Sequence, residues 1–215
     1  AGQQRFGPGG DFTTAPLMND LLARTLAAEV AAVMADVGGD TLIEFGAGTG
    51  QLAADLLDEL ALQDALPAHY WIIEVSADLR ATQAQTLAVL PEAIQARVRW
   101  LDRLPSDPIR GVVIANEVLD AMPVQRFQRT ATGVDSLGVG HNENGELTWR
   151  TRPADNALAE AVAGIEEDIG ERLADGYISE WCPSLGPWVH ALGQLIQAGA
   201  ALLIDYGYPR REYYH

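Results

Sequence analysis

The sequence has almost no cysteine, no lysine and few histidines, and each shortage removes a class of chemistry. A single cysteine, Cys182, among 215 residues excludes an internal disulfide and a cysteine-rich zinc site. The 4 histidines stand far apart along the chain, so their spacing predicts no metal centre. No apolar run reaches the roughly 18 residues that a membrane-spanning helix needs, and we therefore predict no membrane segment.

Positive charge is also scarce, because 14 basic residues, all arginine, face 30 acidic residues and give a net charge of −16. A surface of that sign repels phosphate backbones, so no nucleic-acid partner is expected. Apolar residues nevertheless make up 48% of the chain, which is enough for a domain of ordinary size to bury a full core. The composition predicts a single domain over residues 1–215.

The most informative segment is a glycine turn at residues 41–50, where an apolar run leads into three alternating glycines. Residues 42–45 have the pattern of a buried strand, and the leucines after the turn recur at helical spacing. Glycine at a strand-to-helix turn permits positive φ and lets a ligand approach the backbone closely. The three glycines are Gly46, Gly48 and Gly50. This segment therefore predicts a nucleotide-cofactor site.

The glycine spacing distinguishes between two kinds of cofactor. A dinucleotide fingerprint would require its third glycine at Gln51, where a long side chain would occupy the phosphate position. A pyrophosphate cofactor is therefore disfavoured. The spacing instead resembles motif I of S-adenosylmethionine-dependent methyltransferases, with Glu44 placed to attract the α-ammonium group of the cofactor.

A second acid follows the next apolar run, residues 69–75, which contains Glu74 at its end. Ser76 is placed to cap a helix whose buried stripe we predict at Leu79, Leu87 and Leu90, with only the stem of Gln83 buried. In a doubly wound sheet Glu74 then lies beside the glycine turn. An acid at that position can accept hydrogen bonds from both ribose hydroxyls. The alternative is a solvated acid at a strand end.

The order of elements predicts an α/β fold with a doubly wound, mostly parallel sheet and helices on both faces. The resemblance to methyltransferases implies that this fold is of the Rossmann-like class I methyltransferase type. The predicted elements are a loop at 7–16, a helix at 22–37 ended by Gly38, strands at 42–45, 69–75, 98–101 and 111–115, a β-hairpin at 134–140 and 146–151, a helix from Leu158 to Leu173, a strand at 177–180, a helix from Pro187 to Gly199 and a strand at 200–205. Residues 124–180 would form an insertion on the substrate side after strand four.

The strand ends predict the methyl-acceptor side of the crevice. Strand four ends at Asn116 and Glu117, without the prolines that usually follow in enzymes that methylate base or amide nitrogens. Base methylation is therefore disfavoured. The carboxylates that follow strands four and five, or lie between them, are Glu117, Asp120, Glu180 and Asp205. Such a set suits a planar cation such as a guanidinium, which carboxylates hold bidentately. The alternative for Asp120 is a role as a helix or turn cap.

Five segments resemble the MidA-like family of S-adenosylmethionine-dependent methyltransferases, which includes the mitochondrial complex I assembly arginine methyltransferases. They are GDFTTAP at 10–16, EFGAGTG at 44–50, NEVLDAMPV at 116–124, EWCP at 180–183 and LLIDYGYPRREYYH at 202–215. The resemblance implies that Gly46, Gly48 and Gly50 line the cofactor, that Glu74 binds its ribose, and that Asn116 and Glu117 face the methyl-transfer side. It also implies that the last two strands of the fold lie beyond His215.

Together these features predict a methyltransferase that uses S-adenosyl-L-methionine to methylate a protein side chain, with arginine as the expected acceptor. Glu117 and Glu180 would orient the guanidinium, and solvent or Asp120 would take its proton. The alternatives are a small-molecule methyltransferase and a cofactor-binding assembly factor without turnover. The absence of lysine, together with the abundance of alanine and arginine, is typical of a GC-rich bacterium and favours the cytoplasm over the mitochondrial matrix.

Overall fold

The computed structural model describes residues 20–215, so the predicted loop at 7–16 and the GDFTTAP segment lie outside the described residues. The elements in chain order are α1 (Leu21–Val37), β1 (Thr41–Phe45), α2 (Gln51–Leu62), β2 (His69–Ile73), α3 (Ala77–Leu87), α4 (Glu92–Gln95), β3 (Val98–Leu101), β4 (Ile109–Asn116), β5 (Gln125–Arg129), β6 (Val134–His141), β7 (Leu147–Pro153), α5 (Asn156–Ile169), β8 (Ile178–Trp181), α6 (Leu185–Leu195), β9 (Ile196–Ile204) and α7 (Arg210–Tyr213). None of the helices within residues 20–215 combines the length and apolar character needed to cross a bilayer.

The described chain forms two compact units. Within the described residues, the first unit runs to Asp120 and also includes Val189–Asp205. The second unit comprises Ala121–Trp188 and Tyr206–His215, and it contains the predicted insertion at 124–180. The assignment of the whole chain to a single domain stays a prediction.

The first unit is built on a five-stranded sheet in the order β3-β2-β1-β4-β9. Every neighbouring pair in this sheet is parallel. The chain leaves β1 towards β2 and β3 and then returns to β4 on the other side of β1, which makes the gap between β1 and β4 a topological switch point. Ligands of open α/β sheets bind at the carboxyl ends of the strands beside such a point. The predicted α/β fold with a mostly parallel sheet is confirmed.

The core of the first unit lies between one face of this sheet and the helices α1 to α4. Leu42, Ile72 and Ile114 point from three strands into it and are fully buried. The predicted end of α1 is confirmed, because Gly38 adopts the left-handed conformation and its backbone N–H bonds back to the last turn of the helix. The apolar faces of these helices therefore cover this face of the sheet.

The prediction for the last helix and strand was wrong at their junction. Residues 196–199 were expected to be helical, but they belong to β9, which runs beside β4 from Ile196 onward. Gly199 lies opposite Gly111, and a Cβ atom at Gly199 would come within 1.7 Å of the Gly111 carbonyl oxygen. The glycine is therefore required by the close approach of two strands, and it does not end a helix.

The second unit is a four-stranded antiparallel sheet in the order β7-β6-β5-β8, with α5 packed on one face. Its core is formed by Phe127 from β5 together with apolar side chains of α5 and Leu173. The predicted hairpin is confirmed as β6 and β7, and the predicted helix is confirmed as α5, which ends at Ile169 rather than Leu173. Strand β5 was not predicted, because its sequence QRFQR contains a single apolar residue.

Candidate functional site

The glycine turn lies between β1 and α2, at the carboxyl edge of the parallel sheet. All three glycines have positive φ, with values of 61° at Gly46, 52° at Gly48 and 86° at Gly50. Among residues 20–215, no atom lies within 4 Å of a Cβ atom placed at Gly48, so within this part of the chain the backbone there faces open space that a ligand can enter. A Cβ atom at Gly50 would lie 3.0 Å from the Gln83 Cα atom, which makes this glycine a packing requirement between the turn and α3.

Glu44 is a buried acid two residues before the first glycine, with only 2% of its surface exposed. The Tyr70 hydroxyl donates a hydrogen bond of 2.7 Å to its Oε2 atom. Burial raises the pKa of Glu44 to about 7, and the bond from Tyr70 acts in the opposite direction. A cation brought next to this carboxyl group would favour its ionised form, which is consistent with the predicted role beside the cofactor's ammonium group.

Glu74 directly follows β2 and lies next to the glycine turn, as predicted. The Gly46 backbone N–H donates to the Ile73 carbonyl oxygen at 3.3 Å, which joins the end of β2 to the start of the turn. The Glu74 side chain is 8% exposed, and its Oε1 atom accepts a 2.8 Å hydrogen bond from the Ser76 backbone N–H. The predicted Ser76 cap of α3 is also present, with its hydroxyl accepting from the Leu79 N–H at 3.3 Å.

Gln83 is a site residue whose burial was predicted incorrectly from the sequence pattern. Only its stem was expected to be buried, but the whole side chain is inaccessible to solvent. Its amide bonds to the Gly48 carbonyl oxygen at 3.0 Å and to Glu74 Oε2 at 3.3 Å. The available signal was a glutamine at an apolar position of the α3 stripe, since a buried amide must find partners.

The loop after β4 supplies the other wall of the site in the first unit. Asn116 ends β4 and is half-buried, and Glu117 has an unusual φ of 51° for a residue with a side chain. The Glu117 backbone N–H donates to the Ile204 carbonyl oxygen at 2.8 Å, which helps to hold this conformation. A Cβ atom at Gly46 would lie 3.2 Å from Val118 Cγ2, so this loop lies directly beside the glycine turn. Strained backbone of this kind is common at functional sites.

Three of the predicted carboxylates cluster in this loop region. Asp205 Oδ2 accepts hydrogen bonds from the backbone N–H groups of Leu119 at 2.9 Å and Asp120 at 3.2 Å, so Asp205 holds the loop in place. Burial, Asp120 and Asp205 together raise the pKa of Glu117 above its ordinary value of 4.5. Such mutual repulsion between like charges would be relieved by a cation bound among them.

Glu180 lies on β8 in the second unit, opposite Arg126 of β5. Its Oε1 atom accepts a 2.9 Å hydrogen bond from the Tyr213 hydroxyl, and its carbonyl oxygen accepts from the Tyr214 hydroxyl at 3.0 Å. Burial and the bond to Glu180 raise the pKa of Tyr213 to about 12. Both tyrosine contacts were unforeseen, and the predicted pairing of Glu180 with Glu117 stays a prediction.

The residues of the first unit fit S-adenosylmethionine in three respects. The backbone at Gly48 is open to a ligand, Glu44 is a buried acid behind the turn, and Glu74 is an acid held at the end of the neighbouring strand. Within residues 20–215 there is no group of three or more His, Cys, Asp or Glu side chains arranged to hold a metal ion.

Comparison with known sequences gives results consistent with this geometry. The sequence profile of a family described as S-adenosyl-L-methionine-dependent methyltransferase matches residues 21–215. The mouse (Mus musculus) mitochondrial protein arginine methyltransferase NDUFAF7 is 29% identical over 96% of this chain and 52% of its own length. The Caenorhabditis elegans homolog is 24% identical over 96% of this chain and 52% of its own length. The chain therefore spans about half the length of these relatives.

A solved structure is more similar still. A Burkholderia thailandensis protein, crystallised with S-adenosyl-homocysteine bound, superposes with a TM-score of 0.87 and is 41% identical in sequence. The match covers 99% of this chain and 54% of that protein. A native structure of a Burkholderia thailandensis protein matches with a TM-score of 0.85 over 97% of this chain.

Proposed function

The chain belongs to a family of S-adenosyl-L-methionine-dependent methyltransferases, and from that premise we propose that the protein methylates an arginine side chain of another protein. The cluster of carboxylates beside the glycine turn carries this proposal, because it places acids suited to a cation next to a site that fits the cofactor. The curated relatives are named as protein arginine methyltransferases, which supports the same acceptor.

We assign the cofactor contacts to residues of the first unit. Glu74 would accept hydrogen bonds from the ribose hydroxyls, and the Gly48 backbone would lie against the ligand. Glu44 would attract the α-ammonium group. The location of the turn at the switch point of the sheet supports this assignment, because cofactors of doubly wound folds bind there. When bound, S-adenosylmethionine supplies a methyl group that leaves the sulfonium sulfur by in-line displacement.

The contribution of the chain to such a displacement is mainly positioning. The attacking nitrogen has to be held about 3 Å from the methyl carbon and opposite the sulfur. Glu117, whose backbone is held by Ile204, would bind the guanidinium through its carboxylate and fix the nitrogen's direction. Asp120 is exposed and would pass the released proton to solvent.

A transfer assay with tritiated S-adenosylmethionine tests the proposal. The substrates are an arginine-rich peptide, the same peptide with every arginine changed to lysine, and a bacterial lysate. We expect label in the arginine peptide and in lysate protein, and methylarginine after acid hydrolysis. Label recovered only in small molecules, or in lysine, would refute the arginine assignment and favour another acceptor. The Glu29→Gln variant, which changes an exposed glutamate on α1, controls for the loss of a single surface charge and should be as active as wild type.

A further inference from the structure

Gln83 joins three parts of the candidate cofactor site through one buried amide. Its Nε2 atom donates to the Gly48 carbonyl oxygen at 3.0 Å and to Glu74 Oε2 at 3.3 Å. Its Oε1 atom accepts a 2.8 Å hydrogen bond from the Trp100 indole N–H. Both hydrogens of the amide nitrogen and the amide oxygen are thus used, and the side chain has no exposed surface.

Trp100 determines which way the amide faces. An indole N–H only donates, so it must meet the oxygen of the amide and not its nitrogen. With Oε1 bound to Trp100, the NH₂ group is directed at Gly48 and Glu74. If the amide turned over, its oxygen would face the Glu74 carboxylate and its nitrogen would face another donor. The observed orientation is therefore the stable one.

The amide fixes Glu74 without using up its capacity to bind a ligand. Glu74 receives one hydrogen bond on each oxygen, from the Ser76 N–H on Oε1 and from Gln83 on Oε2. A carboxylate offers about four lone-pair positions, so each oxygen retains one further acceptor position. Two hydroxyl groups on neighbouring carbon atoms match two such positions on one carboxylate.

We propose that Gln83 is a positioning residue that orients Glu74 towards the ribose hydroxyls of the cofactor. The inference rests on the proposed role of Glu74. Fixing the carboxylate before the ligand arrives lowers the conformational entropy that binding would otherwise cost. Gln83 acts through Glu74 and is not itself a catalytic residue.

Calorimetric titration with two ligands tests the proposal. One ligand is S-adenosylhomocysteine, and the other is its analogue without the two ribose hydroxyls. We expect Gln83→Met, which keeps the side-chain length, to weaken S-adenosylhomocysteine binding about tenfold. Binding of the analogue should weaken less than about threefold, because the orientation of Glu74 matters only when hydroxyls are present. The matched control is Gln85→Met, since Gln85 is an exposed glutamine on the same helix.

Equal losses for both ligands, or no loss for either, would overturn the proposal. If Gln83→Met does not fold, as circular dichroism would reveal, Trp100→Phe provides the same test. That variant keeps Gln83 but removes the donor that orients its amide, so it should again weaken S-adenosylhomocysteine more than the analogue. A wild-type protein that binds neither ligand would instead refute the proposed function, and the two failures are therefore distinguishable.

Discussion

Replacing Glu44 by glutamine should raise the stability of the protein at alkaline pH. The folded-state pKa of Glu44 is about 7, against 4.5 for an ordinary glutamate. Because the folded state holds this proton more tightly than the unfolded state, stability falls as the pH rises from about 4.5 to about 7 and stays low above that range. The shift from 4.5 to about 7 corresponds to about 3 kcal/mol at pH 8. Glutamine keeps the oxygen that accepts from Tyr70 and carries no charge to bury.

Urea unfolding followed by circular dichroism between pH 5 and pH 8.5 measures this difference. The free energies of unfolding of wild type and Glu44→Gln should be similar at pH 5 and differ by up to about 3 kcal/mol at pH 8, with the variant more stable. Comparing Glu44→Gln with wild type cancels the contributions of the other titrating groups to the pH dependence of stability. The Glu29→Gln variant controls for the loss of one surface charge. Parallel pH profiles for Glu44→Gln and wild type would refute the buried-acid argument.

Replacing Glu44 by glutamine should also weaken binding of the cofactor. A cationic ammonium group near Glu44 favours the ionised carboxylate, so the affinity of wild type for S-adenosylhomocysteine should rise as the pH increases through about 7. Binding at pH 6.5 should then release a proton, which calorimetry detects by comparing buffers of different ionisation enthalpy. Glu44→Gln should bind more weakly and release no proton. Identical proton release by both proteins would exclude Glu44 as the group that titrates.

Three further substitutions test the rest of the site. Gly48→Val should abolish S-adenosylhomocysteine binding in calorimetry, since a β-branched side chain would fill the open space and resist a φ of 52°; retained affinity would contradict the assignment of the turn. Glu74→Ala should weaken S-adenosylhomocysteine binding about ten- to a hundredfold at an unchanged circular dichroism spectrum, and an unchanged dissociation constant would leave Glu74 only a structural role as the acceptor for Ser76 and Gln83. Glu117→Gln should keep cofactor affinity but lower methyl transfer at least about tenfold in the tritium assay, because the amide lacks the charge that holds a guanidinium; full activity would remove Glu117 from the acceptor site. At saturating S-adenosylmethionine, the activity of wild type should fall as the pH is lowered, with a midpoint above 4.5, because the pKa of Glu117 is raised.

The glycine turn and Glu74 could be predicted because their signals are local. An apolar run of strand length that ends at glycines marks the carboxyl end of a buried strand whatever lies around it. The alternation of strands and helices then implies a parallel sheet, in which such ends gather at one edge. Two neighbouring strand ends, each carrying an acid, were therefore enough to predict the cofactor side of the site.

The contacts between distant segments could not be predicted in the same way. Tyr70 is one of several apolar positions in β2, and only the register between strands brings its hydroxyl to Glu44. Strand β5 has little apolar character of its own and is defined by its pairing with β6 and β8. The end of α6 was predicted incorrectly for a related reason. Gly199 is required by its close approach to β4, and the residues next to Gly199 in the sequence do not indicate this. Such features depend on tertiary partners that a single segment does not record.

A calorimetric titration of the protein with S-adenosylhomocysteine and, separately, with NAD tests the central claim most directly. The glycine spacing and the two acids at the switch point predict saturable binding of S-adenosylhomocysteine and no binding of NAD. Gly48→Val supplies the matched negative control for the first titration. Binding of NAD together with no response to S-adenosylhomocysteine would contradict the account.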